Sequence, residues 1–440
     1  MRDRSALLCR AFLACAFALG AGAVHAQDQD QDQELETLSE LDEGQYPDLL
    51  DGTLSAEGDL IESESPSSAR LRFEGVLGPW NDAKARFRES TGITFGGSAM
   101  VLWQNFSDPG LGEEDAVGGK LTLNFSADIA NRGGPNPLTL DVAVEARGPL
   151  GTENPPLTAG VLAGSLSPTA PTYGDFDLGI TQFYIRQNLA GNRFQYAIGK
   201  LFAPNFINAY PFFDDNRQFL NQAFSTSPTI PAPLRGFGAV GVWYPTEGGL
   251  YVQGGVFTAN SDDTGITVDN FFEDGELFYN VEIGWSGLAR TGTPPQARGP
   301  MDTNNVHLSF WFKDEQPDAS PIFQREAKGV AFNANFMAGE NLMWFLRGGI
   351  SDNFVTERNL TAGIGYRPPG QFSDLFGFGI GWVDPESDRL EAQTVTEAFY
   401  RYQVTPNFAI TPDIQFISNP TLNPGEDSLT VLGLRARITF

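Results

Sequence analysis

Ser428-Leu429-Thr430-Val431-Leu432-Gly433-Leu434-Arg435-Ala436-Arg437-Ile438-Thr439-Phe440 ends the chain, and its reading decides the fold. In an extended strand Phe440, Ile438, Ala436, Leu434 and Leu432 share one face, and Thr439, Arg437, Arg435 and Gly433 share the other. A terminal aromatic, a strict period-2 alternation and two arginines opposite the apolar side suit a strand with lipid on one side and water on the other. Taken alone, the segment also fits the last strand of a soluble sandwich.

The alternation recurs upstream, as where Leu121, Leu123, Phe125, Ala127 and Ile129 alternate with Thr122, Asn124, Ser126 and Asp128. The candidate strands are 93–104, 119–130, 137–147, 177–189, 192–201, 234–245, 248–259, 276–286, 304–314, 328–338, 341–351, 359–366, 375–384, 394–404, 406–418 and 428–440. That makes sixteen, an even number, most close to the roughly 9–11 residues a tilted strand needs to cross a bilayer. Their links alternate between tight ones (190–191, 246–247, 339–340, 405) and longer ones (148–176, 202–233, 260–275, 315–327, 419–427). Short periplasmic turns and longer outer loops are what a membrane barrel requires. The link 287–303 breaks the rule, being long where a tight turn is due. Trp103, Tyr244, Trp285, Trp382 and Tyr400 are read as interfacial aromatics on the apolar side. The expected fold is therefore all-β, a transmembrane antiparallel barrel of sixteen strands, wide enough for an aqueous channel. A short helix precedes it at 79–91, opened by Gly78-Pro79-Trp80 and stopped at Gly92.

Before the helix the chain changes character. Residues 1–26 have a charged start, an apolar core over Ala11–Val24 and a small-residue cleavage site, and read as a secretory signal. A lipid-anchored reading through Cys15 is disfavoured because the apolar run continues past it. Both cysteines, Cys9 and Cys15, lie in this segment, which excludes disulfide and thiolate chemistry from the mature chain. Residues 27–74 read as an acidic, disordered periplasmic leader, with fourteen Asp or Glu against one Arg between Gln27 and Arg70. The barrel domain is 75–440. A net charge of −27 argues against nucleic acid as a partner.

Catalytic and cofactor patterns fail on context. Gly236-Phe237-Gly238-Ala239-Val240-Gly241 has dinucleotide-fingerprint spacing, but a strand rather than a helix follows it. His307, beside Ser309, lacks a triad motif, and one histidine with scattered carboxylates makes no transition-metal site. No catalytic residue, metal or cofactor is expected. The pair Asp262-Asp263 reads as a solvated turn. The link 202–233 is more informative, because Phe206, Tyr210, Phe212, Phe213, Phe219 and Phe224 interleave with Asp214, Asp215, Asn216, Arg217 and Asn221. So many aromatics need burial, and folding inward to narrow a pore would supply it; packing over the barrel mouth or on a neighbouring subunit is the alternative. Strand parity puts Lys313, Arg347, Arg401, Arg435, Arg437, Glu282, Asp413 and Gln415 on wet faces. Such a lining suits a polar, uncharged solute, while an unselective solvated lumen fits the same faces.

From about Gly75 to Phe440 the chain resembles the carbohydrate-selective outer-membrane porins (OprB-type). The resemblance is carried by Gly78-Pro79-Trp80 with Gly92-Ile93-Thr94-Phe95, by Ile198-Gly199-Lys200 leading to Phe219-Leu220-Asn221, and by the end of the chain. There the motifs are Glu397-Ala398-Phe399-Tyr400-Arg401-Tyr402, Thr411-Pro412-Asp413-Ile414-Gln415-Phe416, and Asn419-Pro420 onward to Phe440. It implies a sixteen-stranded barrel passing glucose-like sugars through a constriction lined by charged side chains, arginine prominent, with Arg401 matching a family pore arginine. The chain departs from the pattern at Asn81-Asp82, where the family has a second glycine, and in its acidic leader. The expected function is passive sugar diffusion across a Gram-negative outer membrane, by a monomer or trimer. The expected partners are membrane lipid, small sugars and the barrel-insertion machinery, which would read Phe440. A general or anion-preferring porin and a secreted β-rich sugar-binding protein are the alternatives.

Overall fold

The computed structural model describes residues 46–50, 55–64, 66–71, 77–260, 264–266, 268 and 270–440. The signal segment 1–26, leader residues 27–45 and the pair Asp262-Asp263 lie outside the described residues. The strands are β1 Ile93–Phe106, β2 Asp115–Ala130, β3 Leu138–Pro149, β4 Phe176–Leu189, β5 Phe194–Leu201, β6 Gly236–Trp243, β7 Leu250–Thr258 and β8 Leu277–Leu288. They continue as β9 Thr303–Lys313, β10 Ala327–Ala338, β11 Leu342–Asp352, β12 Thr356–Tyr366, β13 Leu375–Pro385, β14 Gln393–Thr405, β15 Phe408–Ser418 and β16 Ser428–Thr439. All sixteen pair with their chain neighbours, and β1 pairs antiparallel with β16 from Ser98↔Thr439 to Phe106↔Val431, closing the barrel.

The period-2 pattern sorts side chains by side of the wall. On β16 Leu432 and Leu434 are 44% and 46% exposed on the outer surface, whereas Arg435, one residue on, is 1% exposed inside. Phe378, Ile380 and Trp382 of β13 face outward in the same way. Tyr244 departs from expectation. It is buried, stacks on Tyr46 with ring centroids 4.7 Å apart, and its hydroxyl donates to the Pro47 carbonyl at 3.1 Å, so it serves as an internal anchor rather than an interfacial ring.

Most links also sort by end, the tight 353–355 at the long-loop end being an exception. At one end 190–193, 339–341 and 406–407 are tight, and at the other 150–175 and 202–235 are long. The dissenting link, 289–302, is an insertion at the short-turn end with two single-turn helices, Pro295–Ala297 and Pro300–Asp302. Asp302 pins it by accepting from Arg367 Nη1 at 2.7 Å, Thr291 Oγ1 at 2.6 Å and the Gly299 amide at 2.9 Å.

Four α-helices lie among the described residues: α1 Ala56–Glu64, α2 Leu77–Thr91, α3 Pro156–Leu162 and α4 Gln222–Ser225. Helix α2 is the one expected at 79–91, and its Trp80 and Phe87 pack edge-on against Phe95 of β1. Helix α1 was not expected, because it lies in the stretch read as disordered. The described parts of 46–71 are instead folded against the barrel, with Leu50, Ala56 and Leu60 buried. The acidic composition hides a few apolar residues that find a ready-made wall, and the acids find cations on it.

Candidate functional site

The link 202–235 turns into the lumen, and its aromatic content is what holds it there. Phe206, Tyr210, Phe212, Phe213, Phe219 and Phe224 are all buried. Phe219 packs edge-on against Phe345 of β11 and Phe399 of β14, with centroids 5.8 and 4.9 Å away. The wall makes room with glycine, since a Cβ on Gly365 would lie 2.3 Å from the Phe212 ring and one on Gly379 2.6 Å from that of Phe224. Burial also pushes the Tyr210 phenol above its ordinary pKa, against the pull of Arg347.

Polar side chains of the wall then fasten the loop backbone. Arg347 donates to the carbonyls of Thr226 and Asn208 at 2.8 and 2.9 Å, and its guanidinium lies 3.9 Å from the centre of the Tyr210 ring. Arg435 donates to the carbonyls of Asp215 and Gln218 at 2.5 and 3.0 Å. Glu397 accepts from the amides of Leu220 and Asn221, and Gln415 accepts from Asn221 Nδ2 at 2.9 Å. Glu282 accepts from the Asn208 amide, from Ser309 Oγ and from Tyr251. His307 belongs to the same clamp, between Asn208 Nδ2 at 3.0 Å and Asn305 Oδ1 at 2.6 Å.

The sequence-predicted residues therefore separate by position. Asp214, Arg217, Arg401 and Arg437 line an opening of about 1100 Å³ at the short-turn end of the lumen. Arg347, Arg435, Glu282 and Gln415 are taken up in holding the loop, and Asp413 sits beside Gln415, accepting from its amide at 3.2 Å. Asp215 is turned to Thr172, accepting from its amide and hydroxyl at 2.7 and 2.6 Å. Lys313 is remote, donating to the carbonyls of Asp314 and Arg325 at the long-loop end.

Across from the loop stands a polar wall that the sequence reading did not single out. Lys120, Glu145 and Arg147 of this wall line a small cavity together with Arg235 and Asn216 of the link and Asp59. Arg147 Nε donates to Glu145 at 2.9 Å, Lys120 Nζ lies 3.6 Å from the same carboxylate, and Lys120 reaches Asn216 of the loop at 3.0 Å. Strand parity carried the signal for Lys120, Glu145 and Arg147, which share the inward faces of Thr122 and Asp141. No periodicity marked Asp59. Chemically, the arrangement is a set of donors and acceptors fixed by their mutual hydrogen bonds.

Comparison with known proteins agrees with this geometry. The family model described as "Carbohydrate-selective porin, OprB family" matches residues 113–320 and 374–440, well over half of the chain. The high-pH structure of Pseudomonas putida OprB superposes with a TM-score of 0.64 at 16% identity, covering 86% of this chain and 99% of that one. The low-pH structure of the same protein gives 0.50 at 12%, covering 86% and 100%. At these identities the likeness is one of fold. No curated protein sequence matches the chain.

Proposed function

Since the chain belongs to the carbohydrate-selective porin (OprB) family, we propose that its barrel is an outer-membrane pore of a Gram-negative bacterium for small neutral sugars. The function is passive diffusion through a water-filled barrel. The observation that supports the narrow path is the link 202–235, folded inward and fastened from both sides. On this reading the short-turn end is periplasmic and Asp214, Arg217, Arg401 and Arg437 face the solute on its way out. Arginine forks and carboxylates exchange hydrogen bonds with sugar hydroxyls, and rigid placement lets them do so without a conformational change. Residues 1–26 would direct export and be removed, so the mature chain would begin at Gln27.

Liposomes carrying the purified chain are expected to swell in isotonic glucose or a disaccharide faster than empty ones; equal rates would sink the sugar-pore reading. Reversal potentials in a salt gradient distinguish a sugar pore of weak ion preference from an anion-preferring one.

A further inference from the structure

The acidic leader reaches the constriction. Helix α1 is capped by Ser55, whose Oγ accepts from the Gly58 amide at 2.9 Å, and its buried Leu60 lies against Gly96 on the inner face of β1. That seats Asp59 in the lumen. One of its oxygens lies 2.8 Å from Arg217 Nη2 of the inward loop and 3.4 Å from Arg437 Nη2 of the closing strand. The other accepts from Asn124 Nδ2 of β2 at 3.1 Å. Three parts of the constriction thus meet on one carboxylate.

The segment is held on both sides of this point. Before it, Asp48 pairs with Arg186 of β4 at 3.1 Å. After it, Arg70 pairs with Asp374 at 2.8 Å, and the Leu71 amide donates to the Val404 carbonyl at 2.9 Å. A chance contact of a loose tail would not be fastened at opposite walls.

Charge gives the position its meaning. The cavity beside Asp59 is lined by Lys120, Arg147 and Arg235 against Glu145 and Asp59 itself. Asp214 pairs with Arg217, and Asp215 lies near Lys120. Without Asp59 the cations Lys120, Arg147, Arg217, Arg235 and Arg437 would outnumber the carboxylates of Glu145, Asp214 and Asp215, leaving a net positive field that concentrates anions. We propose that Asp59 is a specificity-determining residue of the pore, and that the leader carrying it is a built-in part of the constriction, favouring neutral polyhydroxylated solutes over anions. This rests on the porin reading above.

The chain's two cysteines are Cys9 and Cys15, ahead of the expected cleavage site, so a single thiol can be placed in the lumen. In planar bilayers under a KCl gradient, Asp59→Asn and Asp59→Cys are expected to raise the anion-over-cation permeability ratio about three-fold, the factor one charge a few Å away carries in a water-filled path. A sulfonatoethyl thiol reagent on Asp59→Cys should bring the ratio back toward that of the unaltered protein, and a trimethylammonium reagent should raise it further. Deletion of residues 27–71, which removes Asp59 together with the other leader acids, should raise the ratio at least as much as Asp59→Asn and serves if the point variants fail to assemble. Unchanged ratios in these variants, while the unaltered protein still admits glucose to liposomes, would overturn the proposal and leave the porin reading standing. If the unaltered protein admits no sugar, both fall.

Discussion

Arg347 shows how much one buried cation organises. Besides the two carbonyls it holds, it donates to Asn208 Oδ1 at 2.8 Å and to Ser227 Oγ at 2.7 Å. Hydrogen bonds from a charged donor contribute about 1.5–3 kcal/mol each, and their loss leaves buried acceptors unpaired. Arg347→Met keeps the stem and removes the fork. It is expected to loosen the link 202–235 by roughly 3 kcal/mol, raising single-channel conductance and its noise and admitting protease to the loop, while the heat-modifiable gel shift of the barrel persists. Conductance and protection like those of the unaltered protein would show that the aromatics alone hold the loop. Parity told the side of the wall for Arg347 and Arg435. It did not tell their use, because their acceptors belong to a loop 120 and more residues away in the chain. Lys313 fails for another reason: parity fixes the side of the wall but not the depth along the strand.

At the level of elements, the strands and the inward loop were legible and the leader was not. A strand on lipid must alternate over its whole length, and a run of aromatics must find burial, so both leave marks in local sequence. Helix α1 leaves none, since its fit depends on Gly96 of β1, Asn124 of β2, Arg217 of the inward loop and Arg437 of β16. The insertion 289–302 is similar, for its pin is Arg367, across the mouth from Asp302. Burial alone would raise the Asp302 carboxyl, but the Arg367 guanidinium and the bonds from Thr291 and Gly299 outweigh it and hold it below the ordinary aspartate range. A group depressed in this way stabilises the folded segment above its unfolded pKa of about 3.9 and loses that contribution as pH falls through the folded value. Hydrogen exchange over 289–302 is therefore expected to stay slow from neutral pH to about 4 and to quicken below it. In Asp302→Asn it should already be faster at pH 7 and lack the acid step. A step near pH 6, or none in the unaltered protein, would remove Asp302 as the pin. The wall glycines make a second element-level test. Gly379→Leu places side-chain atoms where the Phe224 ring lies and should expel the α4 turn, raising conductance, whereas Gly254→Leu on the exposed face of β7, where the nearest atom lies 4.0 Å from the added Cβ, should leave the loop in place. Equal conductance in the two variants would refute close packing of the loop on β13.

For the whole molecule, the question is which solvent the barrel's outer surface was built for. Leu432 and Leu434 of the closing strand, Ile414 and Phe416 of β15 and Phe378 and Ile380 of β13 are all exposed on the outer surface, far more large apolar side chains than a water-soluble sandwich displays. Lipid as the outer solvent makes a quantitative demand that water does not. An arginine on the lipid face costs about 2–4 kcal/mol at mid-depth and about 0–1 kcal/mol near the interface. Leu434 lies midway along β16, paired with Trp103 on one side and Pro412 on the other, and Ser428 lies at its long-loop end beside Ser418. Leu434→Arg in lipid bilayers is thus expected to lower the midpoint of denaturant unfolding by an amount corresponding to 2–4 kcal/mol, and Ser428→Arg to change it little, about 1 kcal/mol at most. Arg435, the neighbour of Leu434, already places a guanidinium at the same depth on the inner side, so depth alone does not set the cost; the side of the wall does. If Leu434→Arg and Ser428→Arg prove equally mild, the apolar face does not meet hydrocarbon, and the outer-membrane assignment fails with it.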